Sequence, residues 1–393
     1  MGGILDGIRV IDLSRFVAGP HCTQLLGDMG ADVIKVESLN GDDGRNMKPA
    51  IADMSTYFII NNRNKRSITL DFKQARGRDI LLNLIKKSDV LVENFRPGVM
   101  EKMGLGYNAL KELNPGLIMA SISGFGQDGP YAKRPAFDSV VQAMGGLMDL
   151  TGDNDPVLCG TWVGDYGAGL TTAYGIALAL YQREKSGGVG QYLDVAMLDC
   201  IFSWVRTSMA DFLLFEKKHQ RQGARDIYRC PVGTFKTKNG FIYVSAVTQQ
   251  QFESFTEAVG HPEWGQDPRF HEEPNRLKNS KELTELLTSC TLKYTSEEIT
   301  EIMIKADVPC APVNNIEQVL ENPQLKHRNQ INKVKIHTGD EVPLTGVVVN
   351  FKDNPGSIRL PPPGIGEHNK EIYCKELGFT EKELEQLHKE GIV

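Results

Sequence analysis

One short run, GTWVGDYGAG from Gly160 to Gly169, holds the side chain best suited to chemistry: Asp165, a carboxylate among small residues directly ahead of a long apolar helix. With an ordinary pKa of roughly 3.9 it is ionised at neutral pH and can attack an activated acyl group without a base to deprotonate it. Flanking glycines let backbone N–H groups come close to a reacting carbonyl. The same aspartate also suits the N-cap of the following helix. The two roles are compatible, because the positive end of a helix holds a carboxylate ionised.

Basic residues form a second candidate set. Arg96 and Lys102 lie in and after ENFRPG (93–98), and Lys65, Arg66 and Lys73 lie in NKRSITLDFK (64–73), where they could clamp phosphates. Taken singly, each also reads as a solvated surface charge. The formal net charge of -6 gives no general attraction for nucleic acid or an acidic membrane, so an anionic ligand must be held by such local groups. Seven scattered cysteines without a C-x-x-C pair argue against a disulfide framework or zinc site and for a reducing cytoplasm, and the eight histidines never fall at metal-ligand spacing. No metal is expected. The N-terminus lacks a signal-peptide pattern, and the longest uncharged run, 166–182, is broken by glycines and threonines and reads as a core helix rather than a membrane span.

The elements that must position these residues begin as strand, glycine-containing turn, helix and strand over residues 9–37, a βαβ unit that implies a parallel sheet. Its turn lacks the G-x-G-x-x-G fingerprint, so the architecture is Rossmann-like without support for a dinucleotide. Alternation continues with a strand over 64–72, a helix over 75–87 and strands over 89–95 and 117–126. Ligands of such sheets bind beyond the carboxyl ends of the strands, which puts a site at ENFRPG and SISGFGQDGP. The helix after Asp165 is expected to reach about Tyr181, followed by a strand over 192–198 and a helix over 200–215. A change of texture near 224 marks a domain boundary: a hairpin turning at Asn239-Gly240 and then three helices form a smaller α+β domain over 225–330. Residues 1–224 and 331–393 form the large domain, with the triple proline 361–363 read as an extended segment crossing a surface.

The chain resembles the class III CoA-transferases, the group that includes formyl-CoA transferase and the crotonobetainyl-CoA:carnitine enzyme. The likeness spans nearly the whole chain: LDGIRVIDLSRFVAGPHCTQLLGDMGADVIKVE, NKRSITLDFK, DVLVENFRPG, SISGFGQDGPYAKRPAFD, VGDYGAG, GGVGQYLDVAMLD, VPCAPVNN and PPPGIGEHN occur in order. The resemblance implies that Asp165 carries acyl and CoA groups in turn as anhydride and thioester. It implies that Val17 and Ala18 touch CoA through their backbone, and that Leu70 to Lys73, Asn94, Phe95, Arg96 and Lys102 line its nucleotide and phosphate site. Leu70 and Phe95 also fit plain core packing. CoA and acyl-CoA would be substrates, with no tightly bound cofactor, and the protein an interlocked homodimer.

Two departures stand out: Ser38 occupies the place of a nucleotide-binding arginine of formyl-CoA transferase, and that enzyme's run of consecutive glycines is missing. Formate and oxalate are therefore not the expected substrates, and the segment after 224 is closer to the carnitine branch. α-Methylacyl-CoA racemase shares the fold but needs a histidine where this chain has Phe137, whose ring cannot carry a proton. Besides a racemase-like isomerase, an inactive CoA-binding protein is the other alternative.

Overall fold

The structure, a computed structural model, describes residues 3–393. The chain forms two compact units: one runs to Leu147 and includes Cys159–Arg206 and Pro323–Val393, the other comprises Met148–Leu158 and Thr207–Asn322. These divisions differ from 224 and 331, because the segment after Phe215 folds back on the loop 148–158. There Gly223 N–H donates to Gly152 O at 2.8 Å and Arg221 pairs with Asp149 at 2.6 Å.

In the first unit, β1 (Arg9–Asp12) leads to α1 (Ala18–Asp28), β2 (Asp32–Glu37), β3 (Lys65–Thr69), α2 (Ala75–Lys86), β4 (Val90–Glu93) and β5 (Ile118–Ser123). Then come α3 (Asp138–Met144), α4 (Val163–Lys185), β6 (Tyr192–Ala196) and α5 (Met197–Trp204). The six strands form one sheet in the order β3-β2-β1-β4-β5-β6, with every pairing parallel. Strand side chains alternate between two faces, and both are covered. Val10, Val33, Val90, Val92 and Ile118 join the core under α1 and α4, while Ile11, Ile34, Leu91 and Met119 join the core under α2. Each fully buried aliphatic side chain there contributes about 1.5–3 kcal/mol.

Three local expectations are corrected. α4 continues to Lys185, since Arg183 and Lys185 suit the negative end of a helix, and it stops where Gly187 turns left-handed (φ 75°) and Gly188 N–H reaches back to Arg183 O. The stretch 200–215 is two helices, α5 and α6 (Arg206–Phe215), parted at Val205. Pro362 and Pro363 are buried, not surface-crossing, and Pro363 O accepts from the buried Arg45 guanidinium at 3.0 Å.

The second unit pairs β7 (Val232–Lys236) and β8 (Phe241–Ser245) as the expected hairpin and adds Cys310–Pro312 antiparallel to β8. Phe235, Phe252, Phe255, Leu283 and Leu287 fill its core, and Thr295 with Glu298 forms a capping box at the start of the helix Ser296–Lys305. Among the described residues, no helix is long and apolar enough to cross a membrane.

Candidate active site

The sheet order 3-2-1-4-5-6 reverses between β1 and β4, and a crevice forms where the strands on either side of such a switch diverge. The loops leaving those two strands meet there. Asn94, just past β4, accepts from Arg15 N–H and donates to Arg15 O, each at 2.8 Å. That brace sets the path of Phe16, Val17 and Ala18 into α1. Phe16 holds a left-handed φ of 66°, a strained conformation for an aromatic residue, and its ring stands edge-on to Phe137 at 6.3 Å. Phe137 is exposed.

Beside this crevice a cavity of about 320 Å³ opens between the ends of β1, β2 and β3. Leu70, Asp71, Phe72, Lys73 and Phe95 line it, so five of the expected nucleotide-site residues come together; Ser38 and Arg15 line it as well. Leu70 is also part of the core, as its packing reading expects. Asn94, Arg96 and Lys102 do not line the cavity; Arg96 and Lys102 are exposed, and Asn94 braces Arg15. Sequence reasoning overlooked Arg15, whose guanidinium lies 5.2 Å over the Phe95 ring and pairs with Asp43 at 2.6 Å.

Lys65 and Arg66 are not phosphate clamps. Lys65 is wholly buried and bound to Asp12 and Asn62, each at 2.9 Å, and to Pro20 O at 2.8 Å. Burial alone would raise the Asp12 pKa, but the Lys65 and Lys35 charges and the Ser14 and Thr23 hydroxyls outweigh it and hold the carboxyl well below the usual range. Arg66 is taken up by Asp32, Glu371 and Glu376.

Asp165 is half-buried in the first turn of α4 and does not cap it. The N-cap is Trp162, which offers no side-chain bond. The capping is done from α3, where the buried Asp138 carboxylate accepts Gly164 N–H at 2.6 Å and Asp165 N–H at 3.3 Å. Asp165 is also not the ordinary ionised carboxylate that the sequence suggests. Burial, and then the negative charge of Asp138, push its pKa up to about 7. Aromatic rings surround this helix start: His21 packs on Tyr166 at 4.9 Å and Tyr57 on Trp162 at 4.8 Å. α4 approaches α1 closely at Gly169, where a Cβ would come within 2.7 Å of Ala18 O.

A half-buried carboxyl of raised pKa in the first turn of a helix, on a fold with a cavity at the carboxyl ends of its strands, suits acyl chemistry on a bound ligand. Comparison with known proteins agrees. Residues 5–369 match CoA-transferase family III. A succinyl-CoA--D-citramalate CoA-transferase of Chloroflexus aurantiacus is 34% identical over 99% of this chain and 98% of its own. A formyl-CoA:oxalate CoA-transferase of Bradyrhizobium diazoefficiens is 34% identical over 98% of this chain and 96% of its own. The crystal structure of a CAIB/BAIF family protein from Brucella suis superposes with a TM-score of 0.87 at 35% identity, covering 95% of this chain and 100% of that one. With its sheet, its switch-point crevice and its near full-length matches all in accord, this chain belongs to CoA-transferase family III and is a CoA-transferase acting on CoA thioesters.

Proposed function

We propose that the enzyme moves CoA from an acyl-CoA to a small carboxylic acid through Asp165. The Asp165 carboxylate attacks the donor thioester carbonyl; the C–S bond breaks, leaving an aspartyl anhydride and CoA thiolate. The thiolate attacks the aspartyl carbonyl and expels the donor acid, which leaves an aspartyl-CoA thioester. The acceptor carboxylate then displaces CoA thiolate from Asp165, and the thiolate attacks the acceptor carbonyl of the new anhydride. Acceptor acyl-CoA departs, Asp165 is free again, and no proton is consumed. The observation that carries this reading is the placement of Asp165: a partly desolvated carboxylate of raised basicity is a better nucleophile than a solvated one.

In the same reading, the backbone of Val17 and Ala18 lies against the thioester arm, and Leu70, Lys73 and Phe95 hold the nucleotide in their cavity. Asn94 fixes the loop, while Arg96 and Lys102 meet phosphates from the surface. The name of the citramalate relative supports succinyl-CoA as a donor and a dicarboxylate as acceptor, ahead of a carnitine-like acid. Purified enzyme with succinyl-CoA and an acid panel, read by mass spectrometry, tests this. Asp165→Ala is expected to abolish transfer, and substantial residual transfer would overturn the reading.

An interlocked homodimer also belongs to the proposal. Leu170, Tyr174, Leu178 and Tyr181 form an apolar stripe on one face of α4, 49–64% exposed in the single chain, and such a stripe is normally covered. Light scattering is expected to give twice the chain mass; a monomer would contradict it.

A further inference from the structure

We propose that Asp138 is a positioning residue that takes up the free N–H groups at the start of α4 and thereby keeps the Asp165 carboxylate strongly nucleophilic; this rests on the reading of Asp165 as the attacking group. The first N–H groups of a helix have no partner within it and stabilise a nearby anion. A carboxylate at the third helical position would ordinarily draw on them and become a weaker base. In this protein they point to another acid. Oδ1 of Asp138 accepts Gly164 N–H at 2.6 Å and Asp165 N–H at 3.3 Å, while its Oδ2 accepts Gln142 Nε2 at 2.6 Å.

The approach is built into the sequence at Gly164. A Cβ there would lie 2.9 Å from both Asp138 Oδ1 and Val141 Cγ2, so only glycine admits the carboxylate to the helix start. The other elements packed on this turn bring no compensating cation. His21 on α1 lies against Tyr166, and burial, with help from Lys65 and Arg63, lowers its pKa to about 4, so it is neutral. The helix Thr56–Asn61 contributes Tyr57, and α5 contributes Trp204 over Gly167 and an acid, Asp199, whose charge acts on Asp194 and Cys200. Tyr166 itself has a pKa raised by burial.

The consequence concerns the acylation step. Repulsion between the two carboxylates exists while Asp165 is anionic and vanishes when attack makes it a neutral acyl anhydride. Interactions relieved along the reaction lower the barrier. Burial and Asp138 together give the pKa of about 7 that this requires.

The test is the pH dependence of transfer for wild type, Asp138→Asn and Asp138→Ala, at limiting and saturating acyl-CoA. Asparagine keeps the Oδ1 acceptor and removes the charge. Its acid limb in kcat/KM is expected to move down by roughly one pH unit, with kcat on the plateau reduced several-fold and KM for acyl-CoA unchanged. Alanine removes the cap as well and is expected to lose much more activity at every pH. An acid limb in Asp138→Asn at the wild-type position, or equal losses in both variants with an unmoved limb, overturns the inference. Asp165→Ala, assayed alongside, separates the two claims: residual transfer there refutes the nucleophile itself, whereas an inactive Asp165→Ala with an unmoved limb in Asp138→Asn refutes only the role of Asp138.

Discussion

Replacing Asp165 by asparagine is expected to abolish transfer and, at the same time, to make the protein more stable at neutral and alkaline pH. The carboxyl rises from an ordinary 3.8 to about 7 on folding, mainly through burial and then through Asp138. A raised carboxyl binds its proton more tightly in the folded chain than in the unfolded one. The native state therefore carries no penalty below the unfolded pKa, a growing one as pH climbs from 3.8 toward 7, and the full one above. At about 1.4 kcal/mol per pH unit, the limit is about 4 kcal/mol. Because Asp165 is only half-buried, solvent screens part of this, and about 2 kcal/mol is the working figure. Asparagine has the same shape and no charge to desolvate. Thermal unfolding of wild type and variant should differ little near about pH 4 and should separate by about 2–4 °C near about pH 8, with the variant melting higher. Equal melting temperatures at both pH values, or a variant that melts lower at alkaline pH, would refute the reasoning that Asp165 is held at an electrostatic cost. Stability given up at one acidic group is expected of a functional site rather than of a helix cap.

Other perturbations follow from the same geometry. Gly164→Ala forces the α3 and α4 contact apart at two 2.9 Å approaches; overpacking costs about 1–3 kcal/mol against a helix-propensity gain of about 1, and displacing Asp165 should cut kcat by about 100-fold in a steady-state assay. Asn94→Ala removes both hydrogen bonds to the Arg15 backbone, worth about 1–2 kcal/mol together, so KM for acyl-CoA should rise about tenfold with a smaller change in kcat. Lys65→Met removes the ion-pair partner of the buried Asp12 carboxylate and should lower stability by about 3 kcal/mol in denaturant titration, while replacing Asp12 by leucine in the same protein should recover part of it.

The parallel sheet was legible in the sequence because its central strands are short apolar runs bounded by turn residues, with the basic β3 as the exception, and because helical stretches alternate with them. Both faces being buried leaves continuous runs such as VLV at 90–92, which the alternation of short strand-like and longer helical stretches, rather than periodicity within the run, places in a parallel sheet. What stayed hidden depends on contacts between distant residues. The start of α4 has no local serine, threonine, aspartate or asparagine cap, because its cap comes from Asp138, 25 residues before the first helical residue. That is why Asp165 looked like a cap. Lys65 and Arg66 read as surface charges or phosphate ligands because sequence carries no sign that a lysine will be desolvated against an aspartate from another strand. The later end of α4 did leave a signal, in Arg183 and Lys185 followed by Gly187-Gly188.

The nucleophile itself is tested most directly by trapping it. Wild-type enzyme is mixed with acyl-CoA, quenched with hydroxylamine and digested, and the peptide containing residues 160–169 is sequenced by mass spectrometry. Hydroxylamine opens an aspartyl anhydride or thioester to a hydroxamate, so the account predicts that modification on Asp165, and its absence when acyl-CoA is omitted. A hydroxamate on a different carboxylate, or none in enzyme shown to be turning over, would contradict it.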